Sequence, residues 1–406
     1  MDRLELMKKI TIKNEKKIVM LVIDGLGGIP HPDTNLTELQ TAKLNNINKL
    51  ANISRCGLTI PVAYGITPGS GPSHLSLFGY DPLKYEIGRG ILEALGIGLE
   101  ITENDIACRA NYAKLDYSKN IIIDRRAGRI PTTKNIELCK LLQENIKKID
   151  DTEIIIKPGK GHRFVIVFRG KNLSEKITEN DPQKDNFAPK PILPITKDTE
   201  TERTAKLINI FIEKVKQLIK GEPDANYVLL RGFSKYPDIP SMQDIYKLNP
   251  AAIATYTMYK GLAQLVGMKI LDTGETLADE INTLTKEYKN YDFFYVHVKE
   301  TDAYGEDGNF EGKVKKLEEV DKYIPDILAL NPDVFIITGD HSTPAVLKGH
   351  SWHNVPFLLY SPKYKVSGIN SFNEIECLKG DYGIFHASDI ITLALANTFK
   401  LNKYGA

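Results

Sequence analysis

Lys17-Ile18-Val19-Met20-Leu21-Val22-Ile23 runs directly into Asp24-Gly25-Leu26-Gly27-Gly28. The apolar run is unbroken and rich in β-branched residues, the pattern of a strand covered on both faces. Covering both faces takes helices on either side of a mainly parallel sheet, so this stretch points to an α/β fold. Asp24 is then the first residue free to leave the sheet. It sits at the carboxyl end of a central strand, where open α/β sheets bind their ligands. Asp-Gly is also a common turn pair. The glycines do not spell the G-x-G-x-x-G of a dinucleotide site.

The same form recurs downstream. A strand over 293–298 leads to Lys299-Glu300-Thr301-Asp302, and one over 333–338 ends in Gly339-Asp340-His341-Ser342-Thr343. A third, over 57–63, feeds Ile66-Thr67-Pro68-Gly69-Ser70-Gly71-Pro72-Ser73-His74-Leu75. An apolar pattern begins inside that last stretch, at Leu75, Leu77 and Phe78, so a turn leading into a helix N-terminus is expected. Such a terminus holds anions with free N–H groups and the positive end of its dipole. Ser70, between Gly69 and Gly71, is placed as a phosphate-accepting nucleophile. An ordinary Pro/Gly turn is the plain alternative. Helices are expected over 41–54, 252–266, 312–330 and 384–397, and the basic tract 8–17 reads as a solvated lead-in to the first strand.

Between these parts the rhythm changes. Residues 86–244 read as α+β, with strands near 107–115, 121–124, 153–157, 164–168 and 225–230 and helices over 133–148 and 201–220. An irregular loop is expected over 180–194. This is taken as a domain inserted into a core made of residues 1–85 and 245–406. The insertion carries Asp124-Arg125-Arg126-Ala127-Gly128-Arg129, Gly159-Lys160-Gly161-His162-Arg163 and Leu230-Arg231-Gly232. Single arginines in turns are usually solvated. Three clusters in one segment favour anion binding, because the guanidinium fork suits phosphate and carboxylate.

The chain has 406 residues, enough for two or three domains. Lys+Arg 53 against Asp+Glu 52 leaves a net charge of +1, so no basic excess argues for nucleic acid. No apolar run is long enough to span a membrane and no leader pattern opens the chain. Its four cysteines form no CxxC pair, which suits buried thiols in a reducing compartment. A cytoplasmic protein with a small-molecule partner is expected, and homo-oligomer formation is left open. Asp24, Asp302, Asp340, His341 and His350 together offer oxygen and imidazole ligands of the kind manganese and zinc take. Asp-His is by itself more often a turn. The placement of these residues after strands of one sheet is what argues for a shared site.

Asp24 after the first strand, Thr67-Pro68-Gly69-Ser70-Gly71-Pro72-Ser73-His74-Leu75, Thr338-Gly339-Asp340-His341-Ser342-Thr343-Pro344 and the His350-Ser351…Val355-Pro356 segment resemble the alkaline-phosphatase superfamily. More closely, they resemble the archaeal-type cofactor-independent phosphoglycerate mutases, with the Asp124–Arg129 cluster matching as well. The resemblance covers nearly the whole chain. It implies an alkaline-phosphatase-like core, a mainly parallel sheet flanked by helices, with an inserted substrate-holding α+β domain. It implies an isomerase that interconverts 3-phosphoglycerate and 2-phosphoglycerate in glycolysis and gluconeogenesis, with no bisphosphoglycerate. Ser70 would become phosphoserine. Two divalent metals would be held, one by Asp24, Ser70, Asp340 and His341, the other by Asp302, Glu306 and His350. Manganese leads, with zinc, cobalt and magnesium as alternatives. The family pattern is Asp-x-x-Gly-His, so Glu306 is a departure that exchanges imidazole for a harder oxygen ligand. His353 is a second departure, with no role assigned. Arg125, Arg126, His162 and Arg231 would grip the substrate, and Lys260 would neutralise the transferring phosphoryl group. Closing the two domains would exclude water from phospho-Ser70. Another phosphomutase, phosphatase or phosphotransferase of the same superfamily is the nearest rival reading.

Overall fold

A computed structural model describes residues 1–363 and 368–405. The chain divides into two compact units, one of Met1–Glu86 with Ile239–Ala406, the other of Ile87–Asp238. The first unit is built on an eight-stranded sheet. Across it the strands run Lys269–Ile270, Pro250–Ala254, Phe293–Val298, Ile18–Ile23, Val334–Thr338, Val355–Tyr360, Arg55–Ile60 and Gly383–His386. All six residues of Ile18–Ile23 are buried, and the strand pairs in parallel with both its neighbours. Only Val355–Tyr360 is antiparallel to the strands beside it. One edge of the sheet therefore collects the carboxyl ends of the parallel strands and the amino end of Val355–Tyr360. Asp24, Asp302, Asp340 and His350 all follow or precede strands at that edge.

Helices Asn45–Ala51, Leu277–Glu287 and Phe310–Ala329 cover one face. They set Ile47, Leu50, Ile281, Leu284, Leu317 and Ile324 in one cluster with Leu21, Ile23, Phe294, Val296 and Ile337. Burial of that many large side chains is the main support of the unit, at about 1.5–3 kcal/mol for each. The second unit holds an antiparallel sheet ordered Ile121–Asp124, Asp105–Asp116, Arg163–Arg169, Thr152–Pro158 and Lys148–Ile149, with Tyr227–Lys235 also paired to Asp105–Asp116. Helices Thr132–Asn145 and Thr199–Ile219 contribute Leu138, Leu142, Ile208 and Phe211 to its own core, beside Ile154, Ile166 and Phe168.

Four local expectations give way to the structure. Residues 252–266 are not one helix: Pro250–Ala254 is a fully buried strand beside Phe293–Val298, and the helix is confined to Thr257–Leu265. Three alanines favour a helix in isolation, but pairing in the sheet overrides a preference of a few tenths of a kcal/mol per residue, roughly. The helix expected over 384–397 starts as strand Gly383–His386 and becomes helical at Ile390–Asn397. That over 41–54 is two short helices, Glu38–Thr41 and Asn45–Ala51, broken where Ala42 is extended. The lead-in contains the end of helix Arg3–Ile10, which a capping box of Asp2 and Glu5 starts.

Gly339 connects the Val334–Thr338 strand to Asp340 and packs on the turn after Asp24. A Cβ there would come 2.6 Å from Leu26 Cβ and 2.9 Å from the Ile23 carbonyl oxygen. Backbone cannot yield as a side chain can, so Gly339→Ala is expected to cost about 1–3 kcal/mol. A lower midpoint of thermal unfolding in the full chain checks this, and an unchanged midpoint would contradict the packing described.

Candidate active site

Residues 66–81 hold the turn and helix expected of them. Helix Ser70–Leu77 starts after Gly69, whose backbone is extended, and no side chain caps it. Pro72 falls in the first turn, where the missing N–H costs the helix nothing. Ser70 is half-buried at the helix start, and its Oγ lies 3.4 Å from His341 Nε2 and 3.4 Å from the Tyr259 hydroxyl. The hydroxyl sequence reasoning singled out thus stands beside a histidine delivered by another strand end.

Two groups of donor atoms come together here, Asp24 with Asp340 and His341, and Asp302 with His341 and His350. In the first, His341 Nε2 is 3.4 Å from Asp24 Oδ1 and 3.1 Å from Asp340 Oδ2. Both oxygens are buried and accept no hydrogen bond. In the second, His350 Nε2 is 3.5 Å from Asp302 Oδ1. His350 Nδ1 lies 2.9 Å from the Pro68 carbonyl, which only accepts, so Nδ1 carries the hydrogen and Nε2 is the ring atom turned to the carboxylates. The His341 and His350 rings stack with centroids 3.6 Å apart, joining the groups. Lone pairs facing one another across short gaps fit a cation. A metal-bound imidazole commonly donates its other N–H to a carbonyl in this way.

Charge supports the same fit. Burial works against ionising Asp24, but His297, His341 and Lys299 outweigh it and hold the carboxyl well below the usual range. Asp340 is pushed well above that range by burial and by the charge of Asp24. Two adjacent carboxylates with too little positive charge between them behave in this way. Burial also lowers His341 to about 4, against the pull of Asp24, so its ring is neutral near pH 7.

Glu306 stands at the rim. Its carboxylate is 3.8 Å from His350 Nε2 and its side chain is 55% exposed, so it lies outside the two tight groups. His353 also lies apart, bonding Ser351 Oγ through Nδ1 at 3.0 Å and stacking on Trp352. Lys260 lies on helix Thr257–Leu265 and favours the ionised form of Glu280, whose carboxyl burial raises. The lysine that meets the carboxylates is Lys299, 3.1 Å from Asp24 Oδ2 and in close contact with Asp302. Sequence reasoning passed over it as part of a charged turn. Its spacing of three from Asp302 on one helical turn was the available signal. Tyr259 was missed too. Its hydroxyl donates to Asp24 Oδ2 at 2.6 Å, and burial with the charge of Asp24 raises it well above the ordinary tyrosine value, so it remains a donor. His74 is fully buried, with Nδ1 2.8 Å from the Ser70 carbonyl, and burial lowers it to about 3.

The second unit contains a cavity of about 470 Å³. Arg125, Arg126, His162 and Arg231 line it, with Arg129, Lys160 and Arg163 from the same charged clusters and Arg109, which sequence reasoning did not single out. Asp181 meets part of this charge, with two 2.8 Å bonds from Arg125 and Arg231 3.7 Å away. Glu93 pairs with Arg109 at 3.1 Å. The remaining cations outnumber these acids, so the cavity suits a small ligand with more than one negative charge. Burial, with Arg163, Arg126 and Arg109, lowers His162 to about 4.

Comparison with known proteins shows the family. The family model described as 2,3-bisphosphoglycerate-independent phosphoglycerate mutase matches residues 51–224. A protein of Thermotoga maritima named as a probable enzyme of that kind is 54% identical over 406 residues, covering 100% of both chains. One of Aquifex aeolicus with the same name is 51% identical, covering 99% of this chain and 100% of its own. Among solved structures, the cofactor-independent phosphoglycerate mutase of Thermoplasma acidophilum is 29% identical with a TM-score of 0.78, over 94% of this chain and 100% of its own. A Pyrococcus horikoshii protein is 27% identical with a TM-score of 0.80, over 97% and 100%. The chain belongs to the 2,3-bisphosphoglycerate-independent phosphoglycerate mutase family. Among the described residues, no helix is long and apolar enough to cross a membrane.

The state of His162 is open to direct measurement. In a pH titration followed by NMR of its ring, it should stay neutral down to about pH 4. Its value in the unfolded chain is near 6.5. Between these values the unfolded state binds the extra proton, so acid should weaken the fold through that window. A His162 midpoint near 6.5 in the folded protein would contradict the crowding of cations around it.

Proposed function

We propose that this protein interconverts 3-phosphoglycerate and 2-phosphoglycerate without bisphosphoglycerate, with Ser70 carrying the phosphoryl group between the two positions. The observation that carries the reading is Ser70 itself. It is a hydroxyl at a helix N-terminus beside His341, where the two donor groups meet, in a chain of this family. Asp24, Ser70, Asp340 and His341 would hold one divalent ion, and Asp302, His350 and Glu306 another, with manganese the leading candidate. Such ions supply positive charge that eases ionisation of Ser70 and offsets charge on the phosphoryl oxygens.

Ser70 Oγ gives up its proton and attacks phosphorus in line. The bond from phosphorus to the substrate C3 oxygen breaks, and that oxygen takes a proton to leave glycerate beside phospho-Ser70. The C2 hydroxyl of glycerate then attacks phosphorus, losing its proton, and Ser70 departs and is reprotonated. The helix N-terminus offers N–H groups to the phosphoryl oxygens. Tyr259 keeps its proton and holds Asp24 in place. Lys299 places a fixed positive charge between Asp24 and Asp302. The arginines of the cavity in the Ile87–Asp238 unit are the groups suited to an acidic substrate. His162, held neutral by burial among those arginines, has a ring nitrogen free to act as a base. The four buried free cysteines suit the cytoplasm as the setting of this reaction.

A phosphorus NMR assay with 3-phosphoglycerate, manganese and no bisphosphoglycerate tests the reading. The 2-phosphoglycerate signal should grow, Ser70→Ala should abolish it, and full turnover by that variant would overturn the scheme. Chelation should stop turnover, and manganese should restore it. Inorganic phosphate as the main product would mark a phosphatase instead. Glu306→His should shift the activating metal from manganese towards zinc or cobalt, since imidazole suits those ions better than carboxylate does. An unchanged order of activating metals would remove Glu306 from the ligand set.

A further inference from the structure

Three loops bring the donor groups together, and Thr343 lies where they meet. It is fully buried. Its N–H points to the carbonyls of Gly25 and Gly27, at 3.3 and 3.1 Å, just after Asp24. Its carbonyl accepts from Lys313 Nζ at 2.9 Å, and that buried lysine also donates to the Gly27 carbonyl at 3.1 Å. A Cβ at Gly25 would come 2.6 Å from the Thr343 hydroxyl oxygen, and one at Gly305 would come 2.3 Å from its carbonyl oxygen. Both neighbouring loops carry glycine where Thr343 presses on them.

The hydroxyl has a partner in each donor group. Oγ1 donates to Asp302 Oδ1 at 2.7 Å and lies 2.9 Å from His341 Nδ1. A hydroxyl has one hydrogen, and the short bond to the Asp302 carboxyl oxygen uses it. The hydrogen therefore goes to Asp302, and the oxygen accepts from an Nδ1–H on His341. The other ring nitrogen is left with its lone pair towards Asp24, Asp340 and Ser70. We propose that the Thr343 hydroxyl is a positioning group for both donor groups at once: it sets the ring form of His341 in one and the orientation of Asp302 in the other. The two cation sites are then tuned together. Packing alone would need the shape of threonine but not its oxygen.

The inference rests on the metal reading above, and the test separates the two. Full-length protein stripped of metal is titrated with Mn²⁺ by calorimetry. Wild type should bind two ions, and a wild type that binds none overturns the metal reading and this inference together. Thr343→Val keeps the shape and loses the oxygen. It should bind at both sites about 10–100-fold more weakly, while its metal-free melting matches that of metal-free wild type. Thr343→Ser should restore binding close to wild type. Unchanged affinity in Thr343→Val, a loss confined to one site, or a serine variant as weak as the valine one would each overturn the shared role. If Thr343→Val does not fold, Thr343→Ala against Thr343→Ser gives the same comparison.

Discussion

Three carboxylates, those of Asp24, Asp302 and Asp340, are held at one edge of a sheet with almost no exposure to water. Repulsion among them is weakly screened in such surroundings, and each has lost hydration as well. Everything nearby answers that problem. Lys299 reaches Asp24 and Asp302 together, His297 stands 3.5 Å from Asp24, and Tyr259 donates to the oxygen those two face. Even so, Asp340 is driven towards its protonated form. The protein part of the site is short of positive charge, and a divalent cation is the simplest remedy for that shortage.

The sheet makes the gathering feasible. Parallel strands point their carboxyl ends one way, so residues far apart in the chain arrive side by side without long loops. The histidines are then aimed by one device used twice. His350 gives its Nδ1–H to the Pro68 carbonyl, and His341 gives its own to the Thr343 hydroxyl. In both rings Nε2 is turned inward, to the carboxylates. Pro68 lies just before Ser70, so the loop that carries the proposed nucleophile also orients a histidine of the neighbouring donor group.

What could be read from the sequence follows from the same physics. Strands buried on both faces leave unbroken apolar runs, and the acids that end them are conspicuous, so Asp24, Asp302 and Asp340-His341 stood out. Pro250–Ala254 did not, because short alanine-rich stretches read as helix until a neighbouring strand is known. The arginines of three turns were visible as clusters, and Arg125, Arg126 and Arg231 do share a cavity with His162. Arg109 went unremarked because it sits in a strand, where alternation gives no hint of which face meets a ligand. Tyr259, Lys299 and Thr343 act on residues in other segments. Their local surroundings, a helix start, a charged turn and a Ser-Thr-Pro run, look ordinary. Side-chain hydrogen bonds between distant segments leave no periodic trace.

The reversed strand Val355–Tyr360 has a kinetic meaning. With Val334–Thr338 it forms an antiparallel pair, and the loop joining them carries Asp340, His341, Thr343 and His350. That hairpin can close early, because its contacts are near in sequence. Asp24, Ser70 and Asp302 can join only when the central sheet has assembled from both ends of the chain. The complete donor set is therefore a late product of folding and an early casualty of local opening. Metal retention would then report the integrity of the whole sheet.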